Sequence, residues 1–197
     1  MLGESLPAVF IGKRGVEGDR AFVAGSAKRI EALFTFSART VGERVEVSFP
    51  DGRRFDVRDE ALDAALSEAL GAKVNLEGGG PVQHVDDSPV HILTTASLEW
   101  LQRRLPDAKI DERRFRPNIV LDGEGEQAWL GRILSIGGAK LRITYPTERC
   151  VMTTLAQADL PADPRVLRAL AQERDACFGV YAQVVQPGHV RVGDPAS

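Results

Sequence analysis

An α+β fold is predicted for this 197-residue chain, with a curled, mostly antiparallel, barrel-like sheet and about three packed helices. Three observations lead there. At least seven short apolar segments have strand character. Three stretches show helical spacing with start or stop signals. The two kinds do not alternate regularly, as a doubly wound sheet would require. Hydrophobic residues make up 43% and charged residues 27%, with 19 Gly and 11 Pro scattered along the chain, so one large or two small domains can bury a core without staples.

Taken in order, residues 44–57 set VEVSF and RRFDV on either side of Pro50, Asp51 and Gly52, which predicts a hairpin. Asp59 is expected to cap a helix that turns Leu62, Ala65, Leu66, Ala69 and Leu70 inward, with Gly71 as its left-handed stop. Residues 77–89, rich in Gly, Asp and Pro without apolar period, predict a polar connection between two halves. A strand at 91–93 then runs into a helix capped by Thr94 or Thr95, carrying Leu98, Leu101 and Leu105 and ended by Pro106. Strands follow at 118–121, 132–136 and 141–145, the last two separated by Gly137 and Gly138. Asp163 and Pro164 open a third helix with Val166, Leu167 and Leu170 inward. Residues 180–185 and 190–192, around Gln186, Pro187 and Gly188, predict a closing hairpin.

Composition excludes several classes of function. Lys plus Arg is 25 against 28 Asp plus Glu, a net charge of −3, so no global positive field argues for nucleic acid or an anionic membrane as partner. No run is apolar enough to span a bilayer, and Met1 to Ser5 lack a targeting pattern; a cytoplasmic protein is expected. The two cysteines, Cys150 and Cys177, read as reduced thiols with individual roles. Phosphate-loop, nucleophile-elbow, HExxH and CxxC motifs are absent, and Gly12, Gly15 and Gly18 do not form the dinucleotide fingerprint. His84, His91 and His189 are too scattered in sequence to suggest zinc.

Two segments carry chemistry. Between residues 103 and 116, six basic side chains (Arg103, Arg104, Lys109, Arg113, Arg114, Arg116) face three acidic ones, an anion signal in an acidic protein, and Arg113 to Asn118 lead into a strand that would hold guanidinium forks rigidly. The alternative is a solvated helix end. Cys150 follows Arg149 just past a strand, close to Thr153 and Thr154; the adjacent cation favours the thiolate, the form that attacks, carries sulfur or ligates a soft metal such as molybdenum. A small buried hydrophobe is the alternative there, and it is the reading for Cys177 among its apolar neighbours. Asp19 and Arg20 after Gly18 read locally as a turn with an ion pair, and Lys28 as an exposed lysine.

In this order, Gly18-Asp19-Arg20, then RFRPNI from Arg114, then Arg149-Cys150 followed by Thr153-Thr154 resemble the MOSC domain, the module named for the carboxy-terminal part of molybdenum cofactor sulfurases. Residues 91–98 resemble the family's helix start, and 178–194 its closing segment. The resemblance implies a β-barrel-like fold with residues 76–197 as the MOSC core and 1–75 as an associated β-rich region. It implies molybdenum cofactor as ligand: Cys150 on molybdenum or carrying a persulfide, and Arg20, Lys28, Arg114, Arg116, Asn118, Arg149, Thr153 and Thr154 around the anionic pterin.

The sequence is similar in particular to the amidoxime-reducing branch. Those relatives carry a YPVKS-like strand just before the point where this chain begins, and the loop after Phe22 is shorter here, so either the start was assigned too late or cofactor binding is weaker, and without that strand an unpaired sheet edge is expected. No pyridoxal-phosphate domain, which full sulfurases carry, is expected in a chain of this length. The implied activity is molybdenum-dependent reduction of N-hydroxylated compounds, with separate flavin or iron-sulfur proteins as electron donors and a cofactor donor protein. The alternative is a non-catalytic carrier of cofactor or sulfur.

Overall fold

The computed structural model describes residues 9–12, 15–16, 31–41, 44–76 and 87–197. The chain forms two compact units, one from residues 1–19, 87–154 and 163–197, the other from 20–86 and 155–162. The grouping is not a single cut along the chain. Strand β1 (Val9–Gly12) pairs with β2 (Gly15–Val16) and, on its other side, with residues 188–190.

The smaller unit contains the antiparallel sheet β3 (Ser37–Val41), β4 (Arg44–Ser48) and β5 (Arg54–Asp56), in that order. The predicted hairpin is β4–β5, with Val47 opposite Phe55. Its turn closes through Gly52, at φ +90°, where a Cβ would be strained. Strand β3 was not anticipated, because most of its side chains are exposed and leave no apolar alternation. Helix α1 (Leu62–Leu70) lays Leu62, Ala65 and Leu66 on Val47 and Phe49, while Ala69, expected inward, is exposed. Gly71 ends it at φ +62° as expected. Asp59 does not cap α1; its Oδ1 accepts from Ala61 N at 2.9 Å, so it builds the turn before the helix.

In the larger unit the chain runs through β6 (Val90–Thr94), α2 (Thr95–Arg104), β7 (Ile119–Leu121), β8 (Ile133–Ile136), β9 (Ala139–Glu148), α3 (Arg165–Glu173), β10 (Cys177–Gln186) and β11 (Gly188–Val190). Five strands form one sheet in the order β7-β6-β10-β9-β8, antiparallel except for β6–β7. With three α-helices, this is the predicted α+β class. The closing hairpin is corrected: β11 pairs with β1, not β10, because Pro187 alone separates the two strands, too short a link for a hairpin loop. The turn between β8 and β9 meets β11, Gly138 N donating to His189 O at 2.9 Å.

Strand β6 is buried along its whole length because both faces of the sheet are covered there. Val90 and Ile92 join Leu134, Ile136, Leu141, Ile143, Val180 and Ala182 on one side. Leu93 joins Leu101, Phe115, Val166, Leu170 and Phe178 on the other, under α2 and α3. Thr94 caps α2, its hydroxyl accepting from Ser97 N at 3.2 Å, and Asp163 Oδ1 accepts from Arg165 N at 3.0 Å where α3 begins. Among the described residues no helix is long and apolar enough to cross a membrane. Most of the predicted connection, residues 77–86, lies outside the described residues.

Candidate functional site

Arg103 and Arg104 of the basic segment end α2, and its later part folds into a turn before β7. Asp111 Oδ1 accepts from Arg113 N at 2.9 Å and starts the 3₁₀ turn Glu112–Arg114. Arg114 is only 1% exposed, and its Nε donates to Lys109 O at 3.1 Å. Burial lowers its pKa, opposed by the charges of Asp163 and Asp111. Phe115 packs on Phe178 with ring centroids 4.5 Å apart. Arg116 is exposed and left-handed, at φ +53°, a conformation L-residues rarely hold. Asn118 takes the place of a strand neighbour: its Oδ1 accepts from His91 N at 2.7 Å while its own N donates to His91 O at 2.9 Å.

The cysteine segment lies against that turn. Arg149 N donates to Ala176 O at 2.8 Å, and Arg149 Nη2 donates to Phe115 O at 2.8 Å. Cys150 is partly exposed and precedes the 3₁₀ turn Val151–Thr154. Thr153 donates to Cys150 O from both its N, at 3.2 Å, and its Oγ1, at 3.0 Å; Thr154 Oγ1 donates to Val151 O at 2.7 Å. Both threonine hydroxyl protons are therefore engaged in shaping the turn. At Cys177 burial, and after it the charges of Glu148 and Asp175, push the thiol pKa up, so its thiolate is disfavoured.

A second polar cluster supports this side of the sheet and left no motif in the sequence. Glu126 is fully buried. Its carboxylate accepts from Thr94 Oγ1 at 2.6 Å, from Ser97 Oγ at 2.8 Å and from Gly179 N at 3.1 Å, and Arg174 Nη1 donates to Ser97 Oγ at 3.1 Å. Gly179, at φ +88°, interrupts the β9–β10 register, and a Cβ there would fall 2.2 Å from His91 Nε2. Glu126 thus holds the bulge against which His91 packs, and the His91 backbone in turn clamps Asn118. The sequence signals were slight: one of two glutamates in a polar stretch and a glycine inside a strand pattern.

Of the sequence-predicted residues, Arg114, Arg116, Asn118, Arg149, Cys150, Thr153 and Thr154 occupy two adjoining segments joined through Arg149 and Phe115. Arg20, Lys28 and the Gly18-Asp19-Arg20 motif lie outside the described residues, as does His84. Among the described residues no group of three or more His, Cys, Asp and Glu side chains could hold a bare metal ion. Cys150, with Arg149 next to it in the chain, could supply a single soft ligand to a metal whose other ligands come from a bound group.

Residues 79–197 match the family model of the MOSC domain. Over 130 residues the chain is 32% identical to "Mitochondrial amidoxime-reducing component 1" of Mus musculus, a match covering 58% of this chain and 37% of that protein. Over 107 residues it is 30% identical to "Molybdenum cofactor sulfurase" of Drosophila erecta, covering 52% of this chain and 13% of that protein. The chain therefore spans less than half the length of these curated relatives. The crystal structure of the YUAD protein from Bacillus subtilis superposes with a TM-score of 0.55 at 15% identity, over 97% of this chain and 84% of that one, a likeness of fold alone.

Proposed function

The chain belongs to the MOSC domain family, and from that premise we propose that it binds molybdenum cofactor through Cys150 and reduces N-hydroxylated compounds. The observation that supports this most is the placement of a partly exposed thiol on a turn tied directly to the segment bearing the exposed, left-handed Arg116. Cys150 is the molybdenum ligand, and Arg116 holds an anionic group of the cofactor by a two-pronged contact. Arg20 and Lys28 add further anion contacts. Thr153 and Thr154 present Cys150 by fixing its turn, Arg114 braces the basic segment from inside, and Asn118 anchors that segment to β6. When bound, the cofactor supplies two-electron chemistry at an N–O bond, which no side chain of this set provides. Separate flavin or iron-sulfur proteins deliver the electrons, a donor protein delivers the cofactor, and the cytoplasm is the compartment.

Molybdenum analysis of protein made in a host that synthesises the cofactor, against one that does not, tests the binding. Turnover of an amidoxime with an artificial electron donor tests the reaction. Wild type and Cys177→Ala are expected to bind molybdenum and turn over, and Cys150→Ala to lose activity while keeping its fold. Equal activity of Cys150→Ala and wild type at equal molybdenum content would remove Cys150 from the mechanism. Bound molybdenum without turnover would favour the carrier reading.

A further inference from the structure

Arg149 stands next to the thiol in sequence, yet its side chain is used on the neighbouring segment. Its Nη2 donates to Phe115 O at 2.8 Å, and its guanidinium carbon lies 5.7 Å from the centroid of the Phe115 ring. Phe115 is 1% exposed, packed on Phe178, and directly precedes Arg116. On its other side the Arg149 N–H is bound to Ala176 O at 2.8 Å. That acceptor sits on an unusual backbone: Asp175 and Ala176 are consecutive left-handed residues, at φ +49° and +58°. Arg149 is therefore tied to both sides of the thiol segment by groups of the protein itself.

We propose that Arg149 is a positioning residue, a strut that sets the separation between the Cys150 thiol and the anion-binding Arg116. The proposal rests on the reading of Cys150 and Arg116 given above. A guanidinium suits the task because one planar group offers a hydrogen-bonding edge to the carbonyl and a face to the ring, which a lysine ammonium cannot do together. Since the strut is built within the protein, its loss must show before any cofactor binds.

The experiment uses cofactor-free protein in a Cys177→Ala background and follows alkylation of Cys150 by iodoacetamide. Followed above the ordinary thiol pKa, so that losing the neighbouring charge does not change the thiolate fraction, Arg149→Ala should be alkylated about fivefold faster, the ratio that corresponds to losing about one net hydrogen bond. Millimolar guanidinium, too dilute to unfold the protein, should return the rate toward wild type by refilling the vacated slot. General loosening of the fold would not be reversed in this way. Arg149→Lys, which retains one donor, should fall between the two and serves as the readout if Arg149→Ala does not fold. Molybdenum retained through gel filtration should fall in Arg149→Ala and recover with guanidinium. An unchanged alkylation rate, or a faster one that guanidinium leaves unaltered, overturns the strut. Should wild type bind no molybdenum while the alkylation pattern holds, the strut stands and the cofactor reading fails.

Discussion

Two polar regions of the larger unit are built in opposite ways. Around Glu126 a fully buried carboxylate is surrounded by donors from two separate segments, Thr94 and Ser97 at the start of α2 and the Gly179 amide in β10, and the positive φ there belongs to a glycine. Around Arg116 and Cys150 the positive φ values belong to Arg116, Asp175 and Ala176, and the arginine and the thiol reach solvent. The first region stores stability and the second stores strain, and the second is the one that presents reactive groups. Satisfied buried polar groups provide the rigidity against which a strained turn can be held.

The largest effect is expected from Glu126→Ala. It strands two hydroxyls and a backbone N–H in the interior, and a loss of about 3 to 5 kcal/mol, the scale for breaking a buried charged cluster, should appear as a lowered urea midpoint. A midpoint within error of wild type would mean that the cluster carries no stability, and the comparison would collapse. Gly179→Ala comes next. A Cβ 2.2 Å from His91 Nε2 and 2.8 Å from Ile92 O, on a residue at φ +88°, combines overpacking with backbone strain. The expected cost is about 2 to 4 kcal/mol, measured in the same way, with hydrogen exchange of the Asn118 amide rising as the clamp on His91 loosens. Unaltered exchange at Asn118 would show that the bulge does not support the site.

Arg116→Gly gives the smallest change, and one of opposite sign. Removing the left-handed strain should raise stability by about 1 kcal/mol, while molybdenum retained through gel filtration falls because the fork is gone. A stabilised variant that keeps its molybdenum would make Arg116 a mere turn residue. A variant that is not stabilised would show that the strain ascribed to this turn is absent.

Much of the site's composition was legible in the chain. RFRPNI and the arginine–cysteine pair followed by two threonines could be picked out because charged side chains and a lone thiol stand apart from an ordinary globular background. The β4–β5 hairpin, the Gly71 stop and the Thr94 cap were legible for a related reason: each depends on residues within a turn or two of one another. What the chemistry of these residues is used for was not. The resemblance puts Thr153, Thr154 and Arg149 around the pterin; the structure adds that the two hydroxyls donate to carbonyls three residues back and that Arg149 is bound to Phe115, 34 residues earlier.

By itself, then, the sequence determined the fold class, several local turns and caps such as the β4–β5 hairpin, the Gly71 stop and the Thr94 cap, and which side chains bring unusual chemistry, since all of these follow from residue type and short-range spacing. Only the tertiary structure decided that β11 pairs with β1, that Asn118 completes a ladder beside His91, and that Glu126 collects its donors from β6, α2 and β10. Those outcomes depend on strand register and on partners tens of residues away. A register is set by which faces must be buried together, and a buried carboxylate is tolerated only where several distant donors converge, neither of which any window of the chain contains.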